Sequence, residues 1–500
     1  MRAFPWRRLL TVLAGIAACA ALVVAWSGGS VRVAHADVSN PDNPTYALIS
    51  TSTTPPTEAQ CESVHRRCFT PQAIQSAYNL GKLYNDGFNG KGMTIAIVDS
   101  YGSDTMAHDL HVFDTAFGVQ AMCGEENVTC APGMPTFSVL HVQGSPATVG
   151  QPGNGTGQEN KAAWALEVAL DVEMSHAIAP KANILLVATP TAETLGVQGF
   201  SQMMDAEQYV VDHHLANVIS QSFASAEDAF GSPQSLLNLR HAFIAAAQNG
   251  VTVLGSSGDG GTANASKSPV AKGGTLIPYP TVEWPASDPL VTGVGGTYLC
   301  TNALAGTNDP RTATAGPGGR CPAFPGMAEV GWTFSGGGFS HVFSKPDYQN
   351  TLPAGSTPIG TMRGVPDVAF QASAGTGALV YLSLPPDGLG GLFCGSTPCS
   401  TGWYDIGGTS LSCPQWAGLV AIADQINGGG LGLINPGLYK IGADATRYAN
   451  DFYDVTTGLN RGDPSVPGYP ATTGWDPITG LGTPNAANLL PDLVQAVHGH

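Results

Sequence analysis

Apolar runs alternate with helical patterns through the first half of the chain. Continuous apolar segments predict buried strands over residues 93–99, 137–142, 182–188, 217–222 and 251–254. Helical patterns predict helices over residues 72–84, 200–211, 234–248 and 412–426. Strands that alternate with helices in this way favour an α/β fold, in which helices cover both faces of a parallel sheet.

One further predicted helix, over residues 164–174, is apolar on nearly every side yet carries acidic residues. Glu167 and Asp171 are four residues apart and lie on the same face, whereas Glu173 points elsewhere. Acidic residues at this spacing usually mark a solvated face, but the apolar neighbours indicate a buried helix. Two buried carboxyl groups cannot both ionise cheaply, so they share a proton and can serve as a general acid and base.

Several polar residues follow predicted strands directly. Asp99, Ser222 and Asp259 each lie at or just beyond the end of one. Sites in parallel sheets form at the carboxyl ends of strands, so we expect the site at this edge.

Residues 260–410 are rich in glycine and proline and predict long ordered loops with short strand-like pieces. No second apolar core is evident, which predicts one large domain over 71–490 and a tail over 491–500.

The composition narrows the range of partners. The 500 residues are 43% hydrophobic, enough to bury a large core, and only 11% are charged. The 37 acidic residues outnumber the 20 basic ones, which gives a net charge of −17. This balance disfavours nucleic acid and anionic membrane surfaces as partners.

The N-terminus has the features of an export signal. Three arginines precede an apolar run over residues 9–26, and a small-x-small cleavage site follows at residues 34–36. We therefore predict a signal peptide over 1–36 and a secreted protein. An uncleaved membrane anchor through residues 9–26 is the alternative, because a run of this length can span a bilayer. Residues 37–70 are polar and rich in proline and threonine, which predicts a leader or linker.

Nine cysteines remain after the predicted cleavage, and they lack the Cys-x-x-Cys spacing of a zinc site. In an exported chain, disulfides are the favoured interpretation. Proximity along the chain suggests the pairs Cys61 with Cys68, Cys123 with Cys130, Cys300 with Cys321, and Cys394 with Cys399. Cys413 is left over and is expected to be a small buried residue.

A serine near the last large helix is a candidate nucleophile. Ser410 lies between a glycine turn and the start of that helix, where its hydroxyl would be exposed near helix amides. A nucleophilic serine needs a base, usually histidine. The stretch that ends in Asp99 is typical of subtilisin-like enzymes, but their His-Gly-x-His stretch is absent from the sequence. The pair Glu167 and Asp171 fits the missing role.

The order and spacing of several motifs identify a family. They are Glu167-x-x-x-Asp171 with Ala179-Pro180-x-Ala182, Val218-Ile219-Ser220-x-Ser222, Ser257-Gly258-Asp259, Trp284-Pro285-Ala286-Ser287, Val294-Gly295-Gly296-Thr297, Ser335-Gly336-Gly337-Gly338-Phe339-Ser340, and Gly408-Thr409-Ser410-x-x-x-Pro414. With these motifs the chain resembles the sedolisins, or serine-carboxyl peptidases, over about residues 71–490. The resemblance implies a subtilisin-like α/β fold in a single catalytic domain.

The resemblance also implies a role for each candidate residue. Ser410 would be the nucleophile, Glu167 the general base and acid, and Asp171 the group that orients Glu167 and shares its proton. Asp259 would line the oxyanion hole, where a carboxyl group donates a hydrogen bond only when it is protonated. Activity at acid pH is therefore expected. Taken without the other motifs, Asp259 would be an ordinary turn residue.

Members of this family bind one structural calcium ion, and two C-terminal turns match that pattern. Asp454 and Asp476 would supply side-chain oxygens, and Val455, Thr472 and Gly474 would supply carbonyls. Oxygen ligands of this kind suit Ca²⁺. Without the resemblance, these segments would be ordinary Asp/Gly turns.

Together these features predict a secreted, acid-acting endopeptidase that cleaves proteins or peptides through an acyl-enzyme on Ser410. We expect a monomer with no stable membrane partner if the signal is cleaved. Tripeptidyl cleavage is a further activity of the family. A histidine-triad subtilase and a catalytically inactive surface binding module with the same fold are the alternatives. The short interval between the predicted signal and residue 71 predicts no independently folded prosegment.

Overall fold

The computed structural model describes residues 46–64, 66–144, 158–192, 197–266, 275–300, 328–384, 392–394 and 397–499. The predicted signal peptide over 1–36 and the alternative anchor over 9–26 lie outside these ranges. The described residues belong to one compact unit within Val38–His500.

Strands occur throughout the described chain. In chain order they are β1 (Tyr46–Ser50), β2 (Thr94–Ser100), β3 (Phe137–Leu140), β4 (Asn183–Thr189), β5 (Val218–Gln221), β6 (Ser225–Ala226), β7 (Thr252–Ser256), β8 (Glu283–Trp284), β9 (Thr292–Leu299), β10 (Glu329–Gly331), β11 (Gly338–Ser344), β12 (Met362–Val365), β13 (Val368–Gln371), β14 (Ala378–Leu382), β15 (Phe393–Cys394), β16 (Thr397–Pro398), β17 (Gly402–Ile406), β18 (Phe452–Tyr453) and β19 (Thr483–Pro484).

Eight of these strands form a central sheet in the order β10-β9-β7-β5-β2-β4-β3, with β13 also paired to β9. Its pairs are parallel except for β9 with β10. The parallel strands end at a common edge, where Asp99 pairs with Ala188 and Val98 with Gln221. The predicted α/β class with a parallel sheet is confirmed.

Helices connect these strands. They are α1 (Glu58–Ser63), α2 (Pro71–Ala77), α3 (Gly81–Asn85), α4 (Met106–Phe117), α5 (Gln158–Ile178), α6 (Val197–Asp212), α7 (Pro233–Leu237), α8 (His241–Asn249), α9 (Thr409–Asn427), α10 (Asn435–Ala443), α11 (Ala445–Asp451) and α12 (Ala486–Val497).

The helices cover both faces of the sheet, as predicted. Successive side chains of a strand point to opposite faces. Ile95 and Ile97 of β2 accordingly pack into a core formed with α4, α5 and α9. Ala96 and Val98 pack into a second core formed with α6 and α8. The continuous apolar run of β2 therefore reflects burial on both sides.

Two predicted helices are each divided in the structure. The helix predicted over 72–84 is split into α2 and α3, because Asn79 adopts a positive φ of 59°, which ends a right-handed helix. The helix predicted over 234–248 is split into α7 and α8. The intervening turn directs Arg240 to Asp288, with Nη2 2.8 Å from Oδ1. Gly81 directly follows the first break, whereas the second has no glycine or proline signal in the sequence.

The region predicted as loops contributes three strands, β9, β10 and β13, to the central sheet. β9 has glycines at 293, 295 and 296, so its sequence is typical of a loop and not of a strand. The structure requires them, because a Cβ on Gly295 would lie 2.5 Å from the Ile478 carbonyl oxygen. A Cβ on Gly296 would lie 2.4 Å from that of Ala372. β9 is therefore a strand that other segments approach closely on its faces.

Residues 46–70, within the predicted leader or linker, carry regular structure. Strand β1 pairs with β17 in a three-stranded antiparallel sheet that also contains β14. Helix α1 follows, begun by the side chain of Thr57, which accepts from the backbone N–H of Gln60. This part of the chain therefore packs against the domain instead of linking to it loosely.

Three predicted disulfides are present, namely Cys61–Cys68, Cys123–Cys130 and Cys394–Cys399. Cys300 is also disulfide-bonded, and its predicted partner Cys321 lies outside the described residues. Cys413 is free and buried, as predicted.

Within the described ranges, the helices are too short or too polar to cross a membrane.

Candidate active site

Carboxyl groups and one serine meet beyond the carboxyl ends of the central strands. Glu167 and Asp171 project from α5, Asp99 lies near the end of β2, Asp259 follows β7, and Ser410 begins α9. The negative charges of Asp171, Asp99 and Asp259 all raise the pKa of Glu167, so these groups lie close to it. The structure therefore brings together the four residues selected from the sequence, and it adds Asp99.

Burial and mutual repulsion govern the Glu167 and Asp171 pair. Burial raises the pKa of Glu167 well above its ordinary value, and the charges of Asp171 and Asp99 raise it further. Burial also raises the pKa of Asp171, again with a contribution from Asp99. Each group makes ionisation of its neighbour more costly, so they titrate together. A pair that holds one proton in common can both accept and donate one.

The Ser410 hydroxyl lies beside Glu167. It favours the charged form of that carboxyl and so lowers its pKa against the larger effect of burial. Gly408 enters α9 with a φ of 131°, a conformation that residues with side chains rarely adopt. Its N–H donates to the Ala372 carbonyl at 2.6 Å. This sharp turn places the buried Ser410 in the first turn of α9, where helix amides attract negative charge.

Asp259 is fixed by the residue next to the serine. The backbone N–H and the hydroxyl of Thr409 donate to Asp259 Oδ1 at 2.7 Å and 2.9 Å. Oδ2 is shielded from solvent and has no hydrogen-bond partner among the described residues. Burial raises the pKa of Asp259 to about 7. Below that pH, its second oxygen can carry a proton and donate a hydrogen bond.

Asp99 and Ser222 surround Asp171, and they were not among the candidate catalytic residues. Both residues are buried, and the Ser222 hydroxyl lowers the pKa of Asp171 against the effect of burial. Because both residues lie at the ends of predicted strands, the sequence places them at the edge of the sheet where the site is expected. Their contact with Asp171 could not be predicted, because it depends on where α5 crosses that edge.

Several of the described histidines pair with groups outside this site. His176 Nε2 lies 3.0 Å from Asp114 Oδ2 and 2.7 Å from the Gln120 carbonyl. His341 Nδ1 lies 2.8 Å from Asp228 Oδ2. Among the residues that the structure covers, no histidine contributes to the electrostatics of Glu167 or Asp171. This arrangement argues against a histidine triad.

The predicted calcium ligands lie around one turn. The Gly474 N–H donates to both oxygens of Asp454 at 3.1 Å, and the Thr472 N–H donates to Asp476 Oδ2 at 3.2 Å. No described group donates to the carbonyls of Thr472, Gly474 or Val455. Across the residues that the structure describes, there is no cluster of three or more His, Cys, Asp or Glu side chains that could hold a metal ion. The available donors are thus two carboxylates and unpaired backbone carbonyls, a set that suits calcium.

Comparisons with known proteins are consistent with this geometry. The chain is 30% identical to kumamolisin of Bacillus sp. (strain MN-32) over 441 residues, which is 87% of this chain and 66% of kumamolisin. It is 32% identical to sedolisin of Pseudomonas sp. (strain 101), over 60% of this chain and 45% of that protein. Human tripeptidyl-peptidase 1 is 28% identical over 68% of this chain and 53% of that enzyme. The chain thus spans about half to two thirds of the length of these curated relatives.

A solved structure has the same fold. Pseudomonas sedolisin, described as a serine-carboxyl proteinase complexed with two molecules of pseudo-iodotyrostatin, superposes with a TM-score of 0.60 at 25% identity. The match covers 85% of this chain and 98% of that one. No protein-family model matches the chain.

Proposed function

The chain belongs to the sedolisin family, and on this premise we propose that it is a serine-carboxyl peptidase that hydrolyses proteins or peptides. The observation that carries the proposal is the position of Ser410 beside a buried carboxyl pair, with Asp259 next to the serine. Nucleophile, base and oxyanion donor are the parts that acyl transfer requires.

In the proposed mechanism, Glu167 accepts the hydroxyl proton of Ser410 as the serine oxygen attacks the peptide carbonyl. Asp171 shares the one proton that the pair already holds, so that neither carboxyl group carries an isolated buried charge when Glu167 takes up the serine proton. Glu167 then donates a proton to the leaving amine, and the acyl-enzyme forms. Water then enters and attacks the ester while Glu167 takes its proton. Glu167 passes that proton to the departing serine oxygen, which releases the product and restores Ser410 and Glu167.

Asp259 connects the mechanism to pH. The carbonyl oxygen gains negative charge during attack, and a protonated Asp259 Oδ2 can donate a hydrogen bond to it. Because the pKa of Asp259 is about 7, this donor is lost as the pH rises through neutrality. At the acid limit the carboxyl pair takes up its second proton, and Glu167 can no longer act as a base. We therefore propose an acidic pH optimum with a loss of activity on both sides.

The proposal includes one structural calcium ion. Asp454 and Asp476 would hold it with their carboxylates, and the carbonyls of Val455, Thr472 and Gly474 would complete the protein ligands. The ion would neutralise the two carboxylates and fix the C-terminal turns, and it would take no part in the reaction. The convergence of both carboxylates on one turn supports this assignment.

We further propose that the protein is exported and acts as an endopeptidase. The disulfides support an oxidising compartment, because such bonds are rare in reducing ones. The relatives include tripeptidyl-peptidases, so tripeptidyl cleavage is the second candidate activity.

The experiment is a pH profile of cleavage from about pH 2 to pH 9 with a protein substrate, using the wild-type chain, Ser410→Ala and Glu167→Gln. Wild-type cleavage at acid pH that both variants lack would support the mechanism. Activity that survives in either variant would refute that residue's role. Cleavage only near neutral pH would favour a histidine base, and a folded wild type that cleaves nothing would favour the binding module. Mass spectrometry of the products separates internal cuts from tripeptide release.

A further inference from the structure

The chain before residue 70 packs behind the nucleophile. Residues 46–69, which we call the N-terminal strap, comprise β1, α1 and an extended stretch closed by a disulfide. Within β1, Tyr46 is paired with Ile406 and Ala47 with Asp405. These partners lie at the end of β17, and the glycine turn that carries Ser410 follows directly. The strap therefore lies against the last strand before the nucleophile.

The strap also contacts a second segment, residues 372–377. The N–H of Arg67 donates to the Gly375 carbonyl at 3.0 Å, and that of Phe69 donates to the Gly377 carbonyl at 2.8 Å. Phe69 is fully buried, so this edge of the strap is inside the protein. Three residues of the strap thus run beside the 372–377 segment.

The 372–377 segment in turn contacts the glycine turn. A Cβ on Gly407 would lie 2.3 Å from the backbone nitrogen of Ala374, which shows how closely the two backbones approach. The hydrogen bond from Gly408 to Ala372 joins them next to the nucleophile. The position of Ser410 therefore depends on how β17 and the 372–377 segment are held relative to each other.

One side chain of the strap bridges both segments. Arg66 Nη1 donates to the Ala374 carbonyl at 2.7 Å and to Asp405 Oδ2 at 3.2 Å. The Arg66 side chain is 16% exposed, and the Asp405 side chain is fully buried. Burial raises the pKa of Asp405 to about 7 against the opposing effect of Arg66. At acid pH, Arg66 therefore holds Asp405 and Ala374 through these hydrogen bonds, and above pH 7 the charge of the pair adds to them.

We propose that Arg66 is a positioning residue for Ser410. By binding Asp405 and Ala374 together, it fixes the spacing between β17 and the 372–377 segment and hence the turn from which the nucleophile projects. The strap then influences the active site through β17 and the 372–377 segment. The kinetic consequence depends on the proposed peptidase function, whereas the structural consequence does not.

The test compares Arg66→Met with Arg67→Met in the full chain. Arg67 is a matched control, because its side chain pairs with Glu58 within the strap, with Nε 2.6 Å from Oε1. Peptide cleavage should fall about 10²-fold in kcat for Arg66→Met, with KM nearly unchanged, since a small displacement of a reacting group has an effect of this size. Arg67→Met should retain wild-type kcat. Arg66→Lys keeps the positive charge and should recover most of the lost rate.

Hydrogen exchange of the peptide that covers residues 402–411 provides a readout without catalysis. Faster exchange there in Arg66→Met but not in Arg67→Met is the expected result. Equal exchange in the two variants, or equal losses of kcat, would overturn the proposal. If Arg66→Met does not fold, the same comparison is made with Arg66→Gln, for which a wild-type kcat and wild-type exchange over residues 402–411 would also overturn the proposal. If the wild type cleaves nothing, the peptidase function fails, and the exchange result alone decides the role of Arg66.

Discussion

A glutamate far from the catalytic carboxyl pair should make the stability of the protein depend on pH. Glu207 lies on α6, one turn from Met203, Met204, Val210 and Val211, which belong to the second core. Its side chain is fully buried, and neither oxygen has a hydrogen-bond partner among the described residues. Burial raises its pKa well above the ordinary value of 4.5. Folding therefore requires this group to keep its proton.

The size of the effect follows from proton linkage. Between pH 4.5 and the raised pKa, the folded state holds a proton that the unfolded state has lost, so the free energy of unfolding falls as the pH rises. The loss is about 1.4 kcal/mol for each pH unit. Below pH 4.5 both states are protonated, and Glu207 imposes no electrostatic cost. At pH 6.5, two units above the ordinary value, this slope sets a ceiling of about 3 kcal/mol on the stability that wild type has lost and Glu207→Gln retains.

Equilibrium urea unfolding of both proteins at pH 4 and pH 6.5 measures this difference. The buried amide of Glu207→Gln adds an offset that is the same at both pH values, so the change between them carries the result. Other buried carboxyl groups are common to both proteins and cancel. Glu62→Gln, which changes an exposed glutamate, is the control and should behave as wild type at both pH values. A Glu207→Gln difference that is equal at pH 4 and pH 6.5 would refute the reasoning.

Three further predictions concern the site and its supports. Asp259→Ala should lower kcat by about 10²–10³-fold, whereas Asp259→Asn, which donates a hydrogen bond at any pH, should keep activity and extend it above pH 7. Chelation of calcium should lower the Tm of wild type but not of Asp476→Asn, with a loss of about 3 kcal/mol from a starting calcium concentration 100-fold above Kd. Replacement of Cys61 and Cys68 by serine should lower the free energy of unfolding by about 2 kcal/mol, as thermal or urea unfolding would measure.

Each of these has a contrary outcome. An Asp259→Asn variant with an unchanged alkaline limit would mean that another group sets that limit. Equal Tm values with and without chelator would remove the calcium site. Unchanged stability in the double serine variant would mean that the strap is held by its hydrogen bonds and its core contacts alone.

The sequence predicted what depends on strong local patterns. Continuous apolar runs predicted the inner strands. The apolar residues around Glu167 and Asp171 predicted a buried helix with two acidic side chains on one face. The prediction missed β9, because its glycines satisfy close approaches from segments such as the one around Ile478, which are distant in the chain. It placed Asp99 at the expected edge of the sheet but not among the catalytic residues, because the distance from Asp99 to Asp171 is set by the crossing of α5 over the sheet. Local patterns identify elements, and tertiary contacts decide which of them meet.

The glycines of β9 allow distant segments to pack closely against it, and this affects when the site can be completed during synthesis. A domain generally folds as a unit, so it is completed only when its late-made segments are available. The Ile478 carbonyl that lies close to Gly295 is made almost two hundred residues after that glycine. Until then, the chain lacks the segment that packs against Gly295 of β9. A ribosome-bound chain would therefore contain the nucleophile, the carboxyl pair and the strap before it has a finished site, and full reactivity would appear only when the last segment arrives.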